Sequence, residues 1–466
     1  MIPLSEYPEL VEHYAPYFAD VFSAEALIEF KRYISGLIMS ENKTVAGINR
    51  LCVMESRNQS SLNRLLTESP LSLKELNASR LAVLEDIPET QRKPEGVLSL
   101  DDTLLQHYGQ HFEEIAKLYD HVSGTYVWAH DLVTLHYSDN QTDYPLAFEL
   151  WKPLDVVQLE ACVRAAGIKM QPAKEALKET DPVKWRVYLQ SLWQRRHKQY
   201  PQLEQAYESK LLIGQRLLRD WVSEHPQLKL PVTFDSWFTQ PAFCRYVVEE
   251  LGLSYVGTLN ASDKIKLKTG EQELGKFAEH LKQEHLQGRA VFRRTKIQYK
   301  GETEIYYSYC NTHRVPGFGK QRLVINYREA DLSDTPVFYV SNRLTWQAPG
   351  ITRIRRHRWP VEVYHEEGKA EGLDQYQLRE FDAIQRHVAL VAVVYSLLRA
   401  AQYDSRLHRQ FQRQFKITLD GHPAAIRRVV SAQSLWNLAL LIHVGLSQQQ
   451  PLHSILAPYI HALAHA

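Results

Sequence analysis

Cysteine is scarce in this chain: Cys52, Cys162, Cys244 and Cys310 are the only four in 466 residues. They stand far apart and form no zinc-binding pattern. An excess of charge of either sign is also missing, since 55 Lys and Arg face 54 Asp and Glu for a formal charge of +1. Such balance argues against a protein that holds DNA by bulk charge alone, although clustered arginines in a neutral chain can still make a local groove. No run of about 18 or more apolar residues occurs, which argues against a membrane span. The opening MIPLSEYPELVEHY has no basic stretch followed by an apolar one, so no signal peptide is expected. These absences predict a soluble, cytoplasmic protein. The hydrophobic fraction of 44% suffices to build real cores, and the length predicts two or three modules.

The most informative stretch is 352–378, TRIRRHRWPVEVYHEEGKAEGLDQYQL. A helix through it places Arg355, Arg358, Glu362, Glu366 and Lys369 on neighbouring rows of one broad face. Pro360 fits the first turn of a helix, where its missing N–H costs nothing, and this sets Glu362 close to a helix start. His357 reads as a surface group at that start, with proton delivery to a leaving oxygen as the other role open to it. One acid does not make a metal site. Two strand-like runs end in further acids, VLSL into Asp101-Asp102-Thr103 and LPVTF into Asp235-Ser236-Trp237. Carboxylates at the ends of adjacent central strands, joined by one from a helix packed on the sheet, can converge on two divalent cations. Adjacent strand residues face opposite sides, so only one of Asp101 and Asp102 belongs there.

Taken in order, residues 1–90 read as helical. Two short helices around Glu55–Arg57 suggest either a helix-turn-helix presenting Asn58, Gln59 and Arg64 to a groove, or a polar face of a plain bundle. A polar linker at 89–95 precedes strands at 97–101, 125–137 and 144–151, the last two an antiparallel hairpin beside the first. Helices dominate 157–222, followed by a strand at 232–235, a helix at 243–251 and a strand at 254–259, an α/β layer arrangement. From 290 to 341 the pattern turns to β. There Arg293, Arg294 and Lys296 mix with Tyr299, Tyr306, Tyr307 and Tyr309, which suits either contact with phosphates and unstacked bases or a plain exposed sheet face. Residues 384–398 form a core helix. Segments 405–416, 423–430, 434–444 and 452–461 predict a helical tail.

These residues resemble the cut-and-paste transposases of bacterial insertion sequences, over roughly 97–400. Leu100-Asp101-Asp102-Thr103 fits that family's first aspartate motif with Asp101 in the catalytic position, and Thr233-Phe234-Asp235-Ser236-Trp237 fits the second. Arg358-Trp359-Pro360-Val361-Glu362 fits the glutamate motif, with Arg355 where tyrosine is usual, Glu366 where a lysine often sits, and Lys369 retained. The resemblance implies a ribonuclease-H-like mixed α/β sheet flanked by helices, with a β-rich insertion and a helical N-terminal domain. The expected divisions are a DNA-binding 1–90, a catalytic core of 97–289 and 346–400, an insertion at 290–345 and a helical tail at 401–466. It implies Asp101, Asp235 and Glu362 as ligands of two Mg²⁺, with Mn²⁺ able to substitute. Arg355, Arg358 and Lys369 would contact DNA phosphates, as would Arg293, Arg294 and Lys296. The implied activity is cleavage at transposon ends and strand transfer into target DNA, by a homodimer on double-stranded DNA with no membrane involved. A nuclease of the same fold without strand transfer, or an inactive DNA-binding regulator, are the alternatives.

Overall fold

Residues Val97 to Leu100 are all fully buried, because the strand they begin is covered on both faces. The computed structural model describes residues 3–53, 57–419 and 421–464. Its strands are β1 (Val97–His107), β2 (Ala116–Asp120), β3 (Thr125–Ser138), β4 (Asp143–Trp151), β5 (Val232–Phe234), β6 (Tyr255–Leu259), β7 (Lys264–Leu267), β8 (Gly270–Glu273), β9 (Arg293–Tyr299), β10 (Glu302–Val315), β11 (Gly319–Tyr327) and β12 (Val337–Ser341). β1 pairs antiparallel with β3 and parallel with β5, and β5 pairs parallel with β6. β4 closes the expected hairpin with β3. This is the ribonuclease-H-like mixed sheet flanked by helices, preceded by a helical bundle.

The sheet does not stop at β6. β12 pairs antiparallel with β6, β11 with β12, and β10 with β11, so the β-rich stretch before Glu362 continues the central sheet rather than forming a layer of its own. β9 hangs on β10 at the edge. Its burial alternates, with Arg294, Lys296 and Gln298 exposed and Thr295, Ile297 and Tyr299 buried. The aromatic half of the phosphate-and-base reading is corrected here. Tyr299 and Tyr306 are buried, while Tyr307 and Tyr309 pack against the main core, so these rings are not free to stack on bases.

The N-terminal helices begin where the sequence supplies caps. Ser23, Thr44, Asn58 and Ser72 each accept a hydrogen bond from a backbone N–H in the first turn that follows. Asn58 is thereby committed to its own helix, while Gln59 and Arg64 remain exposed. Of the suggested turn, Glu55 and Ser56 lie outside the described residues. The bundle packs on the apolar helix Phe381–Ala401, and one continuous core joins it to the sheet. Two buried polar contacts fix the docking: the Tyr33 hydroxyl and His387 Nδ1 lie 2.7 Å apart, and Arg80 Nη1 donates to Ser396 Oγ at 2.8 Å and to the Pro145 carbonyl at 2.7 Å.

Between β4 and β5 the helices Val156–Ala165, Pro182–Arg196 and Pro201–Ala206 bury Leu159, Val163, Trp185, Leu189, Trp193 and Leu203 against one another, in a core distinct from the main one. At the other end of the chain, Pro423–Ser447 is one continuous helix rather than the two segments expected, and Leu452–Ala464 follows it. Among the described residues, two helices are long and apolar enough, by length and composition alone, to cross a membrane. Phe381–Ala401 is the buried core helix, while Pro423–Ser447 leaves Leu435, Trp436 and Leu440 exposed.

Candidate active site

The stretch around Glu362 is two helices, Ala348–Arg356 and Trp359–Ala370, and not one. Pro360 explains the break: it offers no N–H and its ring collides with the carbonyl of Arg356, so the first helix ends and the second starts with proline in its first turn. His357 sits at the joint and is fully buried, not a surface group. Its Nδ1 lies 2.9 Å from Ser138 Oγ, and burial followed by the nearby Arg353 charge lowers its pKa to about 3. A buried neutral imidazole of that kind does not deliver protons near neutral pH, which removes the second role expected for it.

The same break aims Arg358 across the sheet. One nitrogen of its guanidinium donates to Asp101 Oδ2 and the other to Glu362 Oε1, so a single side chain bridges the two carboxylates. Register brings Asp235 to the same place: Leu100 lies beside Phe234 in the parallel pair of β1 and β5, so the next residues, Asp101 and Asp235, are neighbours where β5 ends, while β1 runs on to His107, past the end at 101 expected from the sequence. Asp235 is fixed by its own turn, its Oδ1 accepting from the backbone N–H of Trp237 at 3.0 Å and of Phe238 at 3.1 Å. Burial pushes the Asp101 carboxyl up to about 7, with Arg358 pulling against it and Asp235 and Asp102 adding to it. Burial also raises Asp235, against the Phe238 N–H.

Asp102 points elsewhere. Its Oδ2 accepts from Lys210 Nζ at 2.8 Å, and the same ammonium reaches Asp131 Oδ2 at 2.8 Å and lies 4.5 Å from the Trp237 ring centroid. Burial alone would lower the Lys210 pKa, but Asp131 and Asp102 outweigh it and hold the amine firmly charged. Lys210 and Asp131 carried no signal in the sequence, because the pairing is made only by the fold. Trp237 lay within a quoted motif without an assigned part.

Arg355 donates from Nε to Thr258 Oγ1 at 2.8 Å and stacks over Tyr339 at 5.8 Å, and burial lowers it to about 10. With Arg328, Arg356, Arg358 and Trp359 it lines a cavity of about 220 Å³ beside the acids. Glu304 takes up part of that charge, accepting from Arg356 Nε at 2.9 Å and 3.2 Å. Lys369 is about two turns past Glu362 on the same helix, where its charge is felt by His365 and Asp374. Arg293, Arg294 and Lys296 stand on the edge strand β9, outside the acid cluster.

The donor chemistry of Asp101, Asp235 and Glu362 is carboxylate oxygen only, which suits a hard divalent cation. Among the described residues, however, no three His, Cys, Asp or Glu side chains are grouped so as to hold a metal ion. Asp101 and Glu362 share the Arg358 guanidinium instead, while Asp235 is held by backbone N–H groups. A family model described as DDE superfamily endonuclease matches residues 17–270, more than half of the chain. The match takes in most of the helical bundle together with Asp101 and Asp235, and ends before β9 and Glu362. No curated protein matches the chain.

Proposed function

The chain belongs to the DDE superfamily endonucleases, and from that premise we propose that it is a DNA transposase, with Asp101, Asp235 and Glu362 as its catalytic acids. The observation that carries the reading is the bridge of Arg358 between Asp101 and Glu362, with Asp235 beside them at the end of the neighbouring strand. Three separate segments support the reading: Asp235 follows the last residue of β5, Asp101 stands beside it on β1, and Glu362 comes from a helix packed on the sheet.

Two Mg²⁺ ions held by these carboxylates, or Mn²⁺ in their place, would activate an oxygen nucleophile and stabilise the leaving oxygen of a phosphodiester. The chain's own residues do the rest. Arg358 presents a planar fork that pairs with two phosphate oxygens as readily as with two carboxylates. Arg355, fixed by Thr258 and Tyr339, adds a second charge beside it. Lys369 would hold the backbone farther along the helix, and Arg293, Arg294 and Lys296 would meet phosphates at the sheet edge. In the first step water attacks phosphorus and a P–O bond breaks to leave a free 3′-OH. In the second that 3′-OH attacks a target phosphodiester, expelling another 3′-oxygen, so one site stabilises the same pentacovalent charge twice. The protein would act as a homodimer on double-stranded DNA in the cytoplasm.

The test uses supercoiled plasmid carrying the DNA that flanks the reading frame, with Mg²⁺ and a second, target plasmid. Glu362→Gln keeps size and hydrogen bonding but loses the anionic oxygen. It is expected to retain binding and to abolish both nicking and end joining. Wild-type nicking by this variant overturns the site, and nicking by the wild type without joined products identifies a nuclease instead.

A further inference from the structure

The ammonium of Lys210 stands where a bound cation would stand. In the antiparallel pair of β1 and β3, Asp102 lies opposite Val133 and Leu104 opposite Asp131, so the two carboxylates are diagonal neighbours on one face of the sheet. Lys210 Nζ donates to Asp102 Oδ2 and to Asp131 Oδ2, each at 2.8 Å. Asp131 is buried, and its other oxygen, Oδ1, has no hydrogen-bond partner among the described residues. Two carboxylates with an oxygen to spare are what Mg²⁺ or Mn²⁺ takes from a protein, with water completing the shell.

The helix that carries this lysine gives no reason for it. Lys210 is the first residue of the helix Lys210–Glu224, at the end whose partial positive charge favours acids over bases. Ser209 already caps that end by accepting from the Leu212 N–H. A plain ion pair that fastens the helix to the sheet is the simpler role, and it predicts only a loss of stability when Lys210 is replaced.

The neighbour of the pair gives the position its consequence. Asp102 follows Asp101 directly, and successive strand residues face opposite sides, so β1 offers a carboxylate to each face of the sheet. On one side Asp101 shares Arg358 with Glu362, and on the other Asp102 shares Lys210 with Asp131. A divalent ion settled on the second side would be held by acids that do not include Glu362. We propose that Lys210 is a positioning residue, the resident cation of the Asp102 and Asp131 pair, which denies that face of β1 to divalent metal ions and so leaves metal binding to Asp101. The inference rests on the reading of Asp101, Asp235 and Glu362 as metal-binding acids.

The experiment counts Mn²⁺ bound to the intact chain, from the electron paramagnetic resonance signal of the free ion during a titration. Lys210→Met removes the ammonium from a side chain of similar length. It should bind one Mn²⁺ more per chain than the wild type, and adding Asp131→Asn to it should remove that extra ion. Lys210→Arg keeps the charge and should bind only as many as the wild type. A helix merely unfastened from the sheet gains no metal site, so the count separates the two roles. Asp102→Asn leaves Lys210 in place and should keep both the wild-type count and the nicking of plasmid with Mg²⁺; it decides the matter if Lys210→Met does not fold. No extra ion in folded Lys210→Met, an extra ion that survives Asp131→Asn, or loss of nicking by folded Asp102→Asn overturns the proposal. If the wild type nicks no plasmid while Lys210→Met gains the ion that Asp131→Asn removes, Lys210 keeps its role at the pair and the DNA-cleaving function falls.

Discussion

Arg358 precedes Glu362 by four residues and donates to its carboxylate, while its other arm serves Asp101 from a strand 257 residues away. The residue that caps the helix supplying one acid thus also supplies the charge that two of the acids share.

Lysine at position 358 retains the charge but cannot reach two carboxylates, or two phosphate oxygens, through one planar fork. Arg358→Lys is expected to lower the cleavage rate by about tenfold or more, the scale of one charge-assisted hydrogen bond, with a much smaller change in DNA affinity. Single-turnover cleavage on saturated complexes separates the two quantities. Normal cleavage once bound would show that Arg358 is no clamp on the reacting phosphate.

Asp143 is wholly buried and accepts from Lys300 Nζ at 2.6 Å, from Arg399 Nη2 at 3.1 Å and from the Tyr395 hydroxyl at 3.0 Å. Burial alone would raise its pKa, yet Arg399 and Lys300 hold it well below the ordinary carboxylate range. Asp143→Ala strands the largely buried Arg399 charge and should cost about 3 kcal/mol, within the range for breaking a buried pair. Urea denaturation checks it; a change below about 0.5 kcal/mol, the size of a surface substitution, would mean water compensates Arg399.

Acid lability should carry the mark of Asp404. Burial pushes this carboxyl up, but the His13 ring at 2.8 Å and the backbone N–H groups of Arg406 and Leu407 outweigh it and bring it down to about 2. A depressed carboxyl stabilises the fold above its unfolded pKa, and that contribution is lost as the pH falls through the folded value. The stability difference between wild type and Asp404→Asn should therefore be full at pH 6, shrink below about 4 and vanish toward about 2. Thermal melts across that range test it, and a difference independent of pH would reject the assignment.

Neutralising Arg293, Arg294 and Lys296 together should weaken binding to DNA of many sequences and reduce the salt slope by roughly 1 per lost phosphate contact. Their exposure on the edge strand β9 makes misfolding an improbable reason for any loss. Unchanged affinity and slope would make this edge scaffold only.

Apolar runs bounded by turn residues made β1, β3 and β4 legible in the sequence, although β1 continues to His107, and apolar rows did the same for the helices. Other strands escaped because they have too little apolar content to alternate. In β7 and β8, KIKL and GEQE, Ile265 is the one residue fully buried, and β2 is half exposed. Pro360 announced a helix start correctly, but the continuity of the helix through His357 was misread because the arginine spacing runs unbroken across the joint. Asp101, Asp235 and Glu362 could be nominated from motifs, whereas the Lys210 link to Asp102 spans 108 residues and has no local signature. The separate core of the insertion was invisible for a related reason: apolar periodicity tells which face of a helix is buried and not which partner buries it.

The long reach of the contacts at Arg358 sets a schedule for the chain as it is made. Asp101 and Asp235 emerge from the ribosome well before Glu362, at a pace of roughly 5–20 residues each second. The Arg80 contact to Ser396 and the Tyr33 contact to His387 wait longer still. Until the helix Phe381–Ala401 arrives, the bundle lacks the surface it docks on and the sheet lacks one covering layer. Assembly of the acid cluster on its finished scaffold therefore waits for the helix Phe381–Ala401 to be made.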